Sequence, residues 1–138
     1  MKNLITCLVV CVMSGAAFAT TWTVDDDGKA DFDNIQDAID ASSDGDEIIV
    51  EHGTYFENIT FLGKAITIKS TDPSTSWATT IIDGGGTSDT VVVFTLEGSK
   101  SVLDGFTITG GNTPLNGGGI LIGSGSPIIK NCKITNNQ

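Results

Sequence analysis

Arginine is missing from all 138 residues, and the seven basic residues are all lysines. Its absence removes the planar guanidinium fork that grips a carboxylate through two parallel hydrogen bonds, a geometry an ammonium group does not reproduce. Histidine occurs once, as His52. A multi-histidine metal site is therefore excluded, and Glu51-His52-Gly53-Thr54 reads as a solvated turn at a strand end, with no nucleophile paired to it. Cysteine occurs three times. Cys7 and Cys11 fall in an amino-terminal leader, so Cys132 is left alone, no intrachain disulfide forms in the processed chain, and stability must come from packing and backbone pairing. Cys132 reads as a small buried apolar residue. Long apolar runs are lacking as well. The run from Leu4 to Met13 is well short of the roughly 20 residues a spanning helix needs. It follows Lys2 and precedes Ala17-Phe18-Ala19, the pattern of a secretory signal peptide cleaved after Ala19. The expected product is secreted, extracellular or periplasmic, with no transmembrane segment after cleavage.

Cations are scarce overall, with 17 acidic residues against seven lysines and a net charge of -10. The excess is local: from Asp25 to Glu57 Lys29 is the only base among 12 acids, whereas 58–138 holds five acids and five lysines. Nucleic acid is a poor partner for such a surface, because its binding depends on lysine and arginine neutralising phosphates. The acidic segment suits solubility outside the cell.

What is abundant is self-similarity. The stretch VVFTLEGSKSVLDGFTITGG at 92–111 lies over GGILIGSGSPIIKNCKITNN at 118–137 without a gap, at an offset of 26 residues. Phe94 falls on Ile120, Val102 on Ile128, Leu103 on Ile129, Phe106 on Cys132 and Ile108 on Ile134. A period in the twenties, carried by short β-branched runs between Gly, Asn and Asp turns, is the mark of stacked repeats in which each repeat is one turn of a coil. Alternation then points Phe106, Ile108, Cys132 and Ile134 into the bore, and Thr107 and Lys133 outward.

Upstream, Thr20–Val24 reads as a first strand. Residues 34–42 read as a short amphipathic helix with Asp33 as N-cap and Ile35, Ala38 and Ile39 on its apolar face, covering the open end of the first coil. Strand signals follow at Glu47–Glu51, Asn58–Leu62, Ala65–Lys69, Thr80–Asp83 and Val91–Leu96, each ended by turn residues.

GKADFDNIQDAIDASSDGDEIIVEHGTYFENITFLGKAITIKS at 28–70, TIIDGGG at 80–86 and the SVLDGFTITGG and PIIKNCKITNN repeats resemble the right-handed parallel β-helix superfamily of pectin-lyase-like proteins. The opening is similar to the start of pectin methylesterases and of many secreted bacterial β-helix proteins. The resemblance spans 22–138 and implies an all-β right-handed parallel β-helix, with a signal peptide at 1–19, a cap at 20–45 and coils at 46–138. The three or four coils available and the stop at Asn136-Asn137-Gln138 without a capping segment lead us to expect an incomplete or amino-terminal section of a longer solenoid. In that family the acid/base work resembles paired aspartates with an arginine, or an arginine base beside calcium-binding acids. No residue here matches those roles, so no catalytic, cofactor-binding or metal-binding residue is assigned. The expected function is that of a secreted, carbohydrate-associated protein whose partner is an extracellular polysaccharide or a cell-surface component. The alternatives are the amino-terminal part of a polysaccharide lyase or pectin esterase-like enzyme, and an adhesive or structural stalk.

A few residues remain as individual candidates. Asp25, Asp26, Asp27, Asp31 and Asp33 offer oxygen ligands for Ca²⁺, although Lys29 stands where a calcium loop wants an oxygen. Gly84–Asp89 partly resembles a glycine-rich calcium repeat, with turn chemistry the simpler reading. Asp83, Asp89 and Asp104 are carboxylates at strand ends or in turns. Asn58-Ile59-Thr60 is a glycosylation sequon placed between strands, and Asn131, Asn136 and Asn137 suit turns whose amides bond backbone. Trp22 is expected beneath the cap. Trp77, on a long turn after Pro73, is expected to reach solvent, where an aromatic face stacks on a sugar.

Overall fold

The computed structural model describes residues 18–96, 98, 100–114 and 117–138. Apart from Phe18 and Ala19, the expected signal peptide lies outside the described residues. The described chain is mostly β. Its strands are β1 (Thr21–Val24), β2 (Glu47–Val50), β3 (Gly53–Phe56), β4 (Ile59–Thr60), β5 (Thr67–Ser70), β6 (Thr80–Asp83), β7 (Val92–Phe94), β8 (Val102–Asp104), β9 (Thr107–Thr109), β10 (Ile120–Ile122), β11 (Ile128–Lys130) and β12 (Lys133–Ile134), and α1 (Ile35–Ala41) follows β1. They form three sheets, β1-β2-β5-β8-β11, β3-β6-β9-β12 and β4-β7-β10, and every strand pair is parallel. From β2 onward the chain visits the first, second and third sheet in the same cyclic order.

Register stacks like on like. Trp22, Ile48, Ile68, Leu103 and Ile129 occupy successive rungs of the first sheet, and Tyr55, Ile82, Ile108 and Ile134 those of the second. Alternate residues on each strand turn to opposite faces, so one face of these two sheets carries the rungs, Ile134 excepted, into or against a shared core with Phe61, Phe94 and Phe106. Each fully buried side chain of this size contributes about 1.5–3 kcal/mol. Phe61 and Phe94 meet at a ring-centroid distance of 4.3 Å.

The 26-residue self-match holds in two sheets and slips in the third. Val102 pairs with Ile128 and Thr107 with Lys133. In the third sheet, however, Val92 pairs with Ile120 and Phe94 with Ile122, two residues away from the expected Phe94–Ile120 partnership. The connection before β10 is longer than its counterpart before β7, and the one after β10 is shorter than its counterpart after β7. The ungapped alignment averaged over this compensating pair of length changes.

At the amino-terminal end β1 is protected. Phe32 N–H donates to Thr23 O and Asp25 N–H to Phe32 O, both at 3.1 Å, and α1 buries Ile35, Ala38 and Ile39 completely. Its N-cap is Asn34, not Asp33: Asn34 is extended at φ -140° and ψ 158° and accepts the Asp37 N–H. Asn and Asp cap equally well, and burial of Ile35 as the first helical residue sets the cap one position later. At the other end of the helix, Lys64 Nζ donates to the carbonyls of Ile39, Asp40 and Ser42 at 2.6, 3.0 and 2.8 Å, placing a cation where the helix dipole is negative.

Two expectations need correction. Of the segment read as a turn at 51–54, Gly53 and Thr54 are the first two residues of strand β3, which pairs with β6; the strand's sequence, Gly-Thr-Tyr-Phe, offered one apolar inward position, Tyr55, too little periodicity to register. Ile134 sits on the inward rung but is 54% exposed, because among the described residues no strand pairs beyond β12.

Candidate functional site

The connection between β5 and β6 is built around Ser76. Asp72 O accepts the N–H groups of Thr75 and Ser76 at 2.9 and 2.7 Å, and Ser76 O accepts that of Thr79 at 2.8 Å, closing a short 3₁₀ turn at Ser76–Ala78. Pro73 seats the turn on Gly105. Gly105 has φ +91°, and a Cβ there would lie 2.5 Å from Pro73 Cα, so only glycine satisfies both the conformation and the approach.

The turn presents Trp77, which is 38% exposed. Thr107 Oγ1 donates to the Trp77 carbonyl, and Lys133 Nζ lies 5.6 Å from the centroid of the indole, within cation–π range. Trp77, Ser74, Asn131, Cys132 and Lys133 line an open cavity of about 350 Å³. Asn131 is held by Asp104, whose carboxylate accepts from Asn131 Nδ2 at 2.8 Å and pairs with Lys130 at 3.1 Å. Asn131 is in the left-handed region at φ 51°, a conformation asparagine tolerates. Lys133 differs from Lys29, Lys69 and Lys130, which each pair with a carboxylate. Lys133 has the indole face as its partner. A larger opening of about 470 Å³ beside Asp44, Gly45, Ala65, Thr67 and Lys100 offers no aromatic face.

Cys132, read from sequence as buried, is half-buried and lines the cavity. Its Sγ donates to Lys130 O at 3.2 Å, and burial pushes the thiol above its ordinary range, which disfavours the nucleophilic thiolate. His52 is exposed in the bend between β2 and β3, as its sequence context suggests, but its partner was not legible. The fold brings its Nε2 to 2.9 Å from Ser76 Oγ, a partner 24 residues away with no motif to signal it. Ser76 is only 2% exposed, so its hydroxyl is a structural tether of the Trp77 turn.

Several of the remaining candidates are engaged elsewhere. Asp31 accepts from Thr23 Oγ1 at 2.8 Å and Thr23 N at 2.9 Å, and these bonds lower its carboxyl from the usual range. Asp27 pairs with Lys29, and among the described residues no group of three or more His, Cys, Asp or Glu side chains is arranged to hold a metal ion. Asp83 Oδ1 accepts Gly85 N–H at 2.8 Å, and Thr87 Oγ1 donates to Gly84 O at 2.9 Å, so Gly84–Asp89 is held as a turn. The sequon asparagine Asn58 donates to Thr90 O at 2.9 Å and accepts from Thr87 Oγ1. Asn137 donates to Ile108 O and Thr135 O, both at 3.0 Å. Trp22 packs edge-on against Phe32 and donates to Asp46 Oδ2 at 3.3 Å.

Sequence reasoning passed over the polar clamps of Asp46, Glu57 and Lys64 because their partners lie far along the chain. Among the described residues no helix is long and apolar enough to cross a membrane. No family model matches the chain, and no curated protein or solved structure is significantly similar to it.

Proposed function

We propose that the three parallel sheets are the faces of a right-handed parallel β-helix of the pectin-lyase-like kind, and that the protein is a secreted carbohydrate-associated module binding extracellular polysaccharide at the Trp77 groove. The observation that carries this reading is the exposed indole of Trp77 beside Lys133 and Asn131 on an open cavity. An aromatic plate flanked by polar donors suits a sugar ring, with its apolar face on the indole and its hydroxyls on the neighbours. The cyclic strand order and the parallel register support the helical reading.

The test is retention on a panel of insoluble and immobilised polysaccharides, comparing the native protein with Trp77→Ala. Retention of the native protein on at least one glycan, weakened about tenfold by the substitution, which corresponds to about 1.4 kcal/mol, supports the binding module. Cleavage or de-esterification of the glycan would instead favour the enzyme reading.

A further inference from the structure

We propose that His52 is a positioning residue that makes the presentation of Trp77 sensitive to pH. The inference concerns the same groove as the binding module, but it rests on hydrogen bonding around Ser76 and does not require that a sugar binds there.

The Ser76 hydroxyl is buried and has two neighbours. Its oxygen accepts the Asp72 backbone N–H at 3.2 Å, and His52 Nε2 lies 2.9 Å away. With the oxygen already accepting, the hydroxyl hydrogen is best used toward His52, which requires a neutral imidazole carrying its proton on Nδ1. A protonated imidazole donates from both nitrogens. Nε2–H would then turn the Ser76 oxygen into a double acceptor and leave its own hydrogen buried without an acceptor, a costly state. Relief comes from separating His52 from Ser76. The hydroxyl is then free to reorient, and the turn loses a link to the body of the protein.

That link adds to a small set of others among the described residues, including Lys133 over the indole. Thr107 reaches the Trp77 carbonyl, Gly53 N–H donates to Thr79 O at 3.0 Å, and Pro73 rests on Gly105. Ser76 is the residue immediately before Trp77, so its displacement moves the indole directly. Imidazole is the one side chain whose ordinary charge change falls between about pH 5 and 8. The charged groups on the elements packed here are Glu51 on the same segment, which accepts from Thr71 Oγ1 at 2.8 Å, Asp72 of the turn, Asp26, whose carboxylate lies against Gly53, and Lys133, whose ammonium lies over the Trp77 indole.

The experiment is a pH titration, from 8 to 5, of the two indole N–H signals in a ¹⁵N-labelled sample of the protein, with Trp77 assigned through Trp77→Phe. The expected result is a Trp77 signal that shifts along a single-proton curve while the Trp22 signal stays in place, and a Trp77 signal that no longer shifts in His52→Gln. Ser76→Ala, which removes the hydroxyl, should likewise abolish most of the shift. Acrylamide quenching of the native protein gives a second reading and should increase at the acidic end, with an unchanged far-ultraviolet circular dichroism spectrum. A Trp77 signal that does not move, or one that moves equally in His52→Gln, overturns the proposal. Loss of glycan retention with the titration intact would count against the binding module alone.

Discussion

The carboxylate of Glu57 holds the first backbone N–H of α1, that of Ile35, at 2.8 Å, and its second oxygen holds that of Gln36 at 2.9 Å. The residue immediately after β3 thereby completes the cap of a helix that starts 22 positions earlier in the chain, satisfying two of the donors that a helix start leaves free. Glu57→Ala strands both. It should lower stability by about 1–2 kcal/mol, read as a reduced urea midpoint with an unchanged slope.

Glu57 and Asp46 should respond to acid in opposite senses. Burial raises the Glu57 carboxyl above 4.5, outweighing the two amide bonds. Its contribution is therefore fully present below the ordinary glutamate range and lost as pH rises through the raised folded value. Asp46 is lowered from 3.8, first by the Thr20 N–H and then by that of Ser43. Its contribution is present above the ordinary aspartate range and lost as pH falls through the lowered value. Unfolding free energies from pH 3 to 7 should show the native protein's advantage over Asp46→Asn shrinking toward acid, and its advantage over Glu57→Gln shrinking toward neutrality. Parallel profiles would mean that the two environments are misassigned.

The inward rungs grade from interior to edge. Phe106 and Ile108 are fully buried, whereas Ile134 on the same face is 54% exposed. Phe106→Ala should cost about 3–5 kcal/mol, Ile134→Ala much less, and Thr107→Ala little beyond its bond to Trp77. Thermal or denaturant unfolding ranks them. An Ile134 effect as large as that of Phe106 would show that β12 is covered in solution.

Gly105→Ala joins fold to groove. A methyl group at φ +91° is strained and meets Pro73, so a loss of about 1–3 kcal/mol is expected, together with a changed environment for Trp77. Indole fluorescence would report it, and an unperturbed Trp77 would separate the groove from the backbone beneath it.

The legibility of this fold was uneven for physical reasons. Ile48, Ile68, Leu103 and Ile108 announce themselves because parallel stacking repeats the same side-chain requirement at each level. The repeat's length did not survive intact because connections absorb insertions at little cost, and so Phe94 moved from Ile120 to Ile122. The solvent access of Trp77 was readable from Pro73 and the polar residues of its turn. The cavity was not, since Asn131 and Cys132, in the connection between β11 and β12, and Lys133, the first residue of β12, lie more than 50 positions away. His52 looked solitary for the same reason: Ser76 is its neighbour only in space.

The most direct measurement is an amide and indole chemical-shift titration with an oligosaccharide from whichever polysaccharide retains the protein. Shifts concentrated at Trp77, Asn131, Lys133 and Ser74, and saturation abolished by Trp77→Ala, are expected for sugar binding in this groove. Shifts concentrated elsewhere with Trp77 unmoved, or no retention of the native protein on any glycan tested, would contradict it.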